Sequence, residues 1–291
     1  MSQTVLVDVL SSENPVLLNA AEPFLYADDL GAVRGDGVFE TLLVRDGHTC
    51  NTKRHEDRFL NSAKMLDLPE PDVARWREAT NLAMQKLQEM GATEDCTLRW
   101  VYSRGRESTQ RPTGYVMASS AAGVVASRTK PVRVMLADRG FSLDLGSRAP
   151  WALIGAKTLS YAANMAALRF AKAHGFDDVI FTSAEGNLLE GPTSTIILVK
   201  GRQLLTPNPG EGVLPGTTQA ALFETAAEHG WEPKPAVLTP EDLYSADAVW
   251  LVSSVRIAVN VATIDGREIN RPDEKAEAEF RALCDEALAA K

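Results

Sequence analysis

The 291-residue chain predicts a two-domain α+β protein, and three observations carry that expectation. Strand-like and helix-like periods are mixed in both halves, without the regular βαβ alternation of a doubly wound parallel sheet. A small-residue stretch, SSAAGVVASRTKP from Ser119 to Pro131, has no periodic apolar face and divides the chain. A hydrophobic fraction of 45% over this length supports a sizeable core, in one large domain or two ordinary ones. The expected division is residues 1–120, a linker over 121–130 and a second domain over 131–291.

In the first half, VFETLLVRDGHTCN reads as two strands joined at Asp46-Gly47, a dipeptide suited to the positive φ of a tight hairpin. Phe59, Leu60, Ala63 and Leu66 then recur at helical spacing within Lys53 to Leu66, and Asp72 to Met90 predicts a second amphipathic helix. Two strands follow, Thr97 to Ser103 and Tyr115 to Ser119. Past the linker come a strand at Val132 to Ala137, a helix from Ser160 to His174 stopped by Gly175, and a strand at Asp178 to Thr182. Glu185-Gly186 is a turn, and Ser194 to Lys200 is a β-branched strand that returns over Gln203 to Thr206. Thr218 to His229 predicts a helix, Ala248 to Ser253 a strand, and Asp273 to Ala289 a closing helix. No repeat or low-complexity tract interrupts this order.

A formal net charge of -9 and a pI near 5.1 argue against nucleic acid, whose phosphates need clustered Lys and Arg. Cys50, Cys96 and Cys284 lie far apart, with no CxxC pair and no neighbouring His to complete a metal set, so ordinary thiols and no metal are expected. The first 15 residues lack the basic start of a leader, and no segment approaches the ~20 apolar residues of a membrane helix. A cytoplasmic location is the resulting expectation.

Two places invite chemistry. GVLPGTTQ, Gly212 to Gln219, brings a glycine and two hydroxyls to a predicted helix start, where exposed N–H groups and the macrodipole favour an anion. A Walker A loop needs Lys after its last Gly, whereas Thr217 follows Gly216 here. Taken alone, Thr217 reads as an N-cap with no ligand. Lys157 lies in the apolar run IGAKTLSYAAN just before a helix, a setting that favours the deprotonated amine needed for Schiff-base chemistry. By itself it also reads as a lysine snorkelling to the surface.

The order of five motifs separates these readings: GDGVFET (Gly35 to Thr41), HEDR (His55 to Arg58), KTLSYAAN (Lys157 to Asn164), Glu190-Gly191 and GVLPGTT (Gly212 to Thr218). From about Asp29 to about Asp265 the chain resembles the class IV, fold-type-IV pyridoxal 5′-phosphate (PLP) enzymes. Those enzymes include branched-chain and D-amino-acid aminotransferases and 4-amino-4-deoxychorismate lyase. The resemblance implies a smaller N-terminal α/β domain, a larger C-terminal mixed barrel-like domain, a homodimer, and PLP held as a Schiff base by Lys157. It further implies that Glu190 pairs with the pyridine nitrogen and that Arg58 and the Gly216, Thr217, Thr218 loop grip the phosphate. Tyr161 would lie near the phenolic oxygen, and Ser254 would add a hydroxyl to the phosphate site. Arg34 stands where members commonly carry an aromatic residue before GDG, and Thr195 where an Asn commonly follows the glutamate.

SRGRESTQRPTGY (Ser103 to Tyr115) and SSVR (Ser253 to Arg256) resemble the lyase branch, and the first lacks the His of the D-amino-acid aminotransferase carboxylate trap. The implied reaction is conversion of aminodeoxychorismate to 4-aminobenzoate and pyruvate in folate biosynthesis. Arg34, Arg104, Arg111 and Arg256 are the candidate clamps for the substrate's two carboxylates. The alternatives are a class IV aminotransferase acting on branched-chain or D-amino acids with a 2-oxo acid acceptor, and a non-catalytic relic of the fold.

Overall fold

The computed structural model describes residues 4–289; residues 1–3 and 290–291, at the ends of the two sequence-read domains, lie outside the described residues. The chain forms two compact units. One comprises residues 1–125 together with 156–161, the other residues 126–155 together with 162–291. The short run 156–161 therefore departs from a continuous second domain over 131–291, and the region read as a linker contains a one-turn helix, Ala122–Val125.

The first unit carries strands β1 (Thr4–Asp8), β2 (Val16–Leu18), β3 (Gly37–Arg45), β4 (His48–Thr49), β5 (Cys96–Ser103) and β6 (Thr113–Ser120). Its helices are α1 (Leu30–Arg34), α2 (Thr52–Met65), α3 (Val73–Glu89) and α4 (Ala122–Val125). The sheet order is β2-β1-β6-β5-β3-β4, antiparallel at every pairing. The β3–β4 turn is where the sequence placed it, with Asp46 at φ 50° and Gly47 at φ 75°. Asp72 caps α3 by accepting the Ala74 N–H at 3.0 Å, and Trp76, Ala79, Thr80, Ala83 and Leu87 form its buried face.

Those faces close over the sheet through aromatic contacts. Phe59 of α2 meets Trp76 at 5.3 Å and Trp100 of β5 at 5.5 Å between ring centroids, and the Trp100 indole N–H donates to Thr80 Oγ1 at 2.8 Å. Such pairs add ~0.5–1.5 kcal/mol each beyond area burial. The same burial fixes the rotation of α2, so that His55, Phe59 and Ser62 all face inward.

The second unit carries β7 (Val132–Asp138), β8 (Asp178–Thr182), β9 (Thr195–Lys200), β10 (Gln203–Pro207), β11 (Glu232–Ala236), β12 (Ala248–Ser253), β13 (Ile257–Ile264) and β14 (Arg267–Glu268). Its helices are α5 (Leu145–Arg148), α6 (Ala162–Ala173), α7 (Thr217–Glu228), α8 (Pro240–Ser245) and α9 (Glu274–Ala289). A mixed sheet runs β11-β10-β9-β12-β13-β7-β8, with β14 beside β13. The β7–β8, β13–β7 and β10–β11 pairs are parallel. Its core includes Val134, Ile180, Ile196, Leu198, Leu251 and Val261, while Trp250 stacks on Phe280 of α9 at 4.5 Å. No helix among the described residues is long and apolar enough to cross a membrane.

Candidate active site

Within the first unit, β3 alternates so that Val38, Glu40, Leu42 and Val44 all point into the core. A carboxylate there needs partners, because an unpaired buried charge is costly. Two residues of α2, one helical turn apart, provide them. Arg58 donates from Nε to Glu40 Oε1 and from Nη2 to Oε2, both at 2.7 Å, and His55 Nδ1 lies 2.6 Å from Oε2. Exposure of the three side chains is 0% for Glu40, 1% for His55 and 10% for Arg58. Burial by itself would raise the Glu40 carboxyl, but the Arg58 guanidinium overrides it and holds the group down at about 2. Burial pushes His55 below its ordinary value, so the imidazole is neutral and its Nδ1 carries the proton that faces the carboxylate.

The Lys157 segment is fastened to the same two elements. Its N–H donates to Ser62 Oγ at 3.0 Å, its carbonyl accepts the Phe39 N–H at 3.0 Å, and the Leu159 N–H donates to the Gly37 carbonyl at 2.8 Å. Val38 and Thr158 form an antiparallel bridge. Gly37 permits this close pairing: a Cβ there would lie 2.6 Å from the Tyr102 carbonyl oxygen and 2.7 Å from Leu159 Cδ1. The Lys157 ammonium stands 4.5 Å from the Phe39 ring centroid and 5.4 Å from that of Tyr161, and the two rings meet edge to face at 5.3 Å. An amine framed by aromatic faces on a backbone tied at both sides is rigidly presented.

In the second unit, Glu190 ends the loop that follows β8. Its backbone carbonyl accepts the Phe181 N–H at 2.9 Å, and its Oε2 accepts the Leu214 N–H at 3.1 Å, which ties the carboxylate to the loop entering α7. Gly216 is the N-cap of α7, and a Cβ there would lie 2.4 Å from Thr195 Oγ1. Thr217 Oγ1 lies 3.3 Å from Ser254 Oγ, so the helix start and the β12–β13 turn present hydroxyls to each other. That turn is anchored from behind by Arg128, which donates from Nε and Nη2 to the Val255 carbonyl at 3.1 and 2.6 Å. It closes with Ile257 at φ 63°, a left-handed conformation that costs a β-branched residue ~1–2 kcal/mol.

A test of whether this helix start suits an anion comes from Thr218. Its residue is 3% exposed, and its Oγ1 is buried with no hydrogen-bond partner among the described residues. A buried hydroxyl left unsatisfied costs ~1–3 kcal/mol, and a phosphate oxygen would relieve it. Helix geometry adds first-turn N–H groups without intrahelical acceptors. The residues therefore fit a phosphate-bearing group.

The candidate carboxylate clamps are less uniform than the sequence suggests. Arg104 is engaged by Asp36 at 2.7 and 3.2 Å and by the carbonyls of Leu66 and Asp67. Arg256 donates to the buried Asp178 at 2.7 Å, although its Nη2 is buried with no hydrogen-bond partner among the described residues. Arg34 is 68% exposed and 4.0 Å from Glu107, and Arg111 is exposed. Sequence reading had Phe39, Glu40 and His55 only as motif members and Thr195 only as a departure from the family pattern, with no role for any of them or for Ser62. The in-phase position of Glu40 among the inward residues of β3 was the signal for that residue.

The match to the model of the amino-transferase class IV family spans residues 37–264, and the chain belongs to that family. Among proteins, it is 48% identical over 263 residues to the bifunctional aminodeoxychorismate lyase / D-amino acid transaminase of Mycobacterium tuberculosis, covering 88% of this chain and 91% of that one. Among structures, it is similar to a hypothetical aminotransferase of Mycobacterium tuberculosis in its PLP-bound form, with 45% identity, 99% of each chain covered and a TM-score of 0.92. A fold IV transaminase from Curtobacterium pusillum is 38% identical, with 97% of this chain and 98% of that chain covered and a TM-score of 0.91.

Proposed function

We propose that this PLP-dependent class IV enzyme acts as an aminodeoxychorismate lyase in folate biosynthesis and, at the same site, as a D-amino acid transaminase. The observation that carries the proposal is the bifunctional relative, 48% identical across 88% of the chain. Membership of the family and likeness to a PLP-bound structure make PLP the cofactor of this enzyme.

In our reading Lys157 anchors the cofactor, and Glu190 keeps its ring nitrogen protonated. Arg58, Gly216, Thr217, Thr218 and Ser254 hold the phosphate, with Tyr161 beside the phenolic oxygen. When bound, the cofactor supplies an electron sink at the carbon that bears the substrate amine. Lys157 Nζ would remove the proton from this carbon, a task its fixed backbone and aromatic frame favour. In the lyase reaction the C–O bond to the neighbouring enolpyruvyl group would break, that group would take up the proton held by Lys157 to become pyruvate, and the substrate carbocycle would become aromatic. In transamination Lys157 would instead deliver the proton to the cofactor carbon that carries the substrate nitrogen, and water would release the 2-oxo acid, leaving the amino group on the cofactor for the 2-oxo acid acceptor. Arg256, with its buried Nη2, is the arginine we favour for a substrate carboxylate.

Incubation with aminodeoxychorismate and no keto acid tests the lyase, with release of 4-aminobenzoate and pyruvate in equal amounts as the expected result. D-alanine with 2-oxoglutarate tests the second activity. Amino transfer without any 4-aminobenzoate would leave a transaminase only. We also read the protein as cytoplasmic and as a homodimer; exposed Trp151, Met165 and Phe170 on the second unit support the homodimer, which light scattering tests.

A further inference from the structure

We infer that Glu40, backed by His55, is a positioning residue that sets the orientation of the Arg58 guanidinium for the cofactor phosphate; this rests on the phosphate role proposed for Arg58. The carboxylate engages one edge of the guanidinium through two bonds of 2.7 Å, a bidentate contact that defines its plane and rotation. An arginine has five N–H donors in a rigid planar fork, so holding one edge on Glu40 sets the direction of the opposite edge. Glu40 in turn is held by the inward register of β3 and by His55 at 2.6 Å. His55 is 1% exposed with its Nδ1 against Glu40 Oε2, so it backs the carboxylate from within the fold.

A merely structural role for Glu40 and a positioning role differ in what they do to two ligands. The probes are PLP and pyridoxal, which lacks the phosphate. Their dissociation constants are measured by absorbance titration of the full-length protein, with near-ultraviolet circular dichroism to confirm folding. Positioning predicts that Glu40→Gln weakens PLP binding by about tenfold or more and leaves pyridoxal within about twofold, the size of one charge-assisted contact. Arg58→Met should do the same, and Glu40→Gln on top of Arg58→Met should add nothing.

Where Glu40→Gln fails to fold, Glu40→Asp keeps the charge and withdraws the carboxylate by one methylene. It should weaken PLP selectively, by less than Arg58→Met does. Equal loss for PLP and pyridoxal, or effects of Glu40 and Arg58 that simply multiply, would overturn the inference. The two readings part cleanly. If Arg58→Met leaves the preference for PLP over pyridoxal intact, the phosphate role of Arg58 is wrong. If Arg58→Met abolishes that preference and the Glu40 variants retain it, only the positioning role falls.

Discussion

Thr218→Val should change the sign of its effect between the cofactor-free and cofactor-bound protein. The side chain is almost isosteric, the residue is 3% exposed, and its Oγ1 has no hydrogen-bond partner among the described residues. Replacing an unsatisfied buried hydroxyl by a methyl removes a desolvation cost of ~1–3 kcal/mol. Helix propensity and rotamer preference change little between these two β-branched residues. Cofactor-free Thr218→Val should therefore be as stable as the parent or up to ~2 kcal/mol more stable by urea denaturation at unchanged slope. If the hydroxyl donates to the phosphate, the same change should weaken PLP binding by ~1–2 kcal/mol, about 5- to 30-fold. A cofactor-free variant destabilised by more than ~1 kcal/mol would show that Thr218 is satisfied within the protein. An unchanged PLP affinity would remove it from the site.

Packing at the α7 cap gives a second prediction. Gly216→Ala places a Cβ against Thr195 Oγ1, a short branched side chain in a strand, and should destabilise by ~1–3 kcal/mol. Thr195→Ala should recover part of that loss, and additivity of the two changes within ~0.5 kcal/mol would exclude the contact as the cause. The buried pair on β3 and α2 sets a pH dependence. Glu40 stands near 2 in the fold against an ordinary 4.5, so its contribution is present above pH 4.5 and lost as pH falls towards 2. His55, neutral in the fold, adds a loss that begins as pH falls below its ordinary 6.5, because the unfolded chain takes up its proton first. Denaturation between pH 3 and 7 should show a flatter acid limb for Glu40→Gln than for the parent, and parallel limbs would contradict the assignment.

Periodicity made most of the framework legible. Phe59 and Ala63 on α2, the Asp46-Gly47 turn, and the β-branched run of β9 each state their local structure through spacing alone. Other elements were opaque for physical reasons. β11 reads EPKPA, and its two prolines suit only an edge strand, which a sequence offers no means of distinguishing from a loop. The joining of residues 156–161 to the first unit depends on backbone pairing to β3, a tertiary contact with no local signature. Arg58 was visible as a motif residue, whereas its attachment to Glu40 required knowing that β3 and α2 pack with those faces together. Arg104 looked like an available cation because its partner, Asp36, is 68 residues away in sequence, and the Asp178 that holds one side of Arg256 is 78 residues away.

The chemistry proposed for this enzyme depends first on Lys157 as the residue that carries the cofactor. Borohydride reduction of the PLP-loaded enzyme, followed by proteolysis and mass spectrometry, tests it directly. One pyridoxyl-modified peptide, containing Lys157, is expected, with no modified peptide after the same treatment of Lys157→Ala. Modification of another lysine, with Lys157 unmodified in a catalytically active preparation, would contradict it.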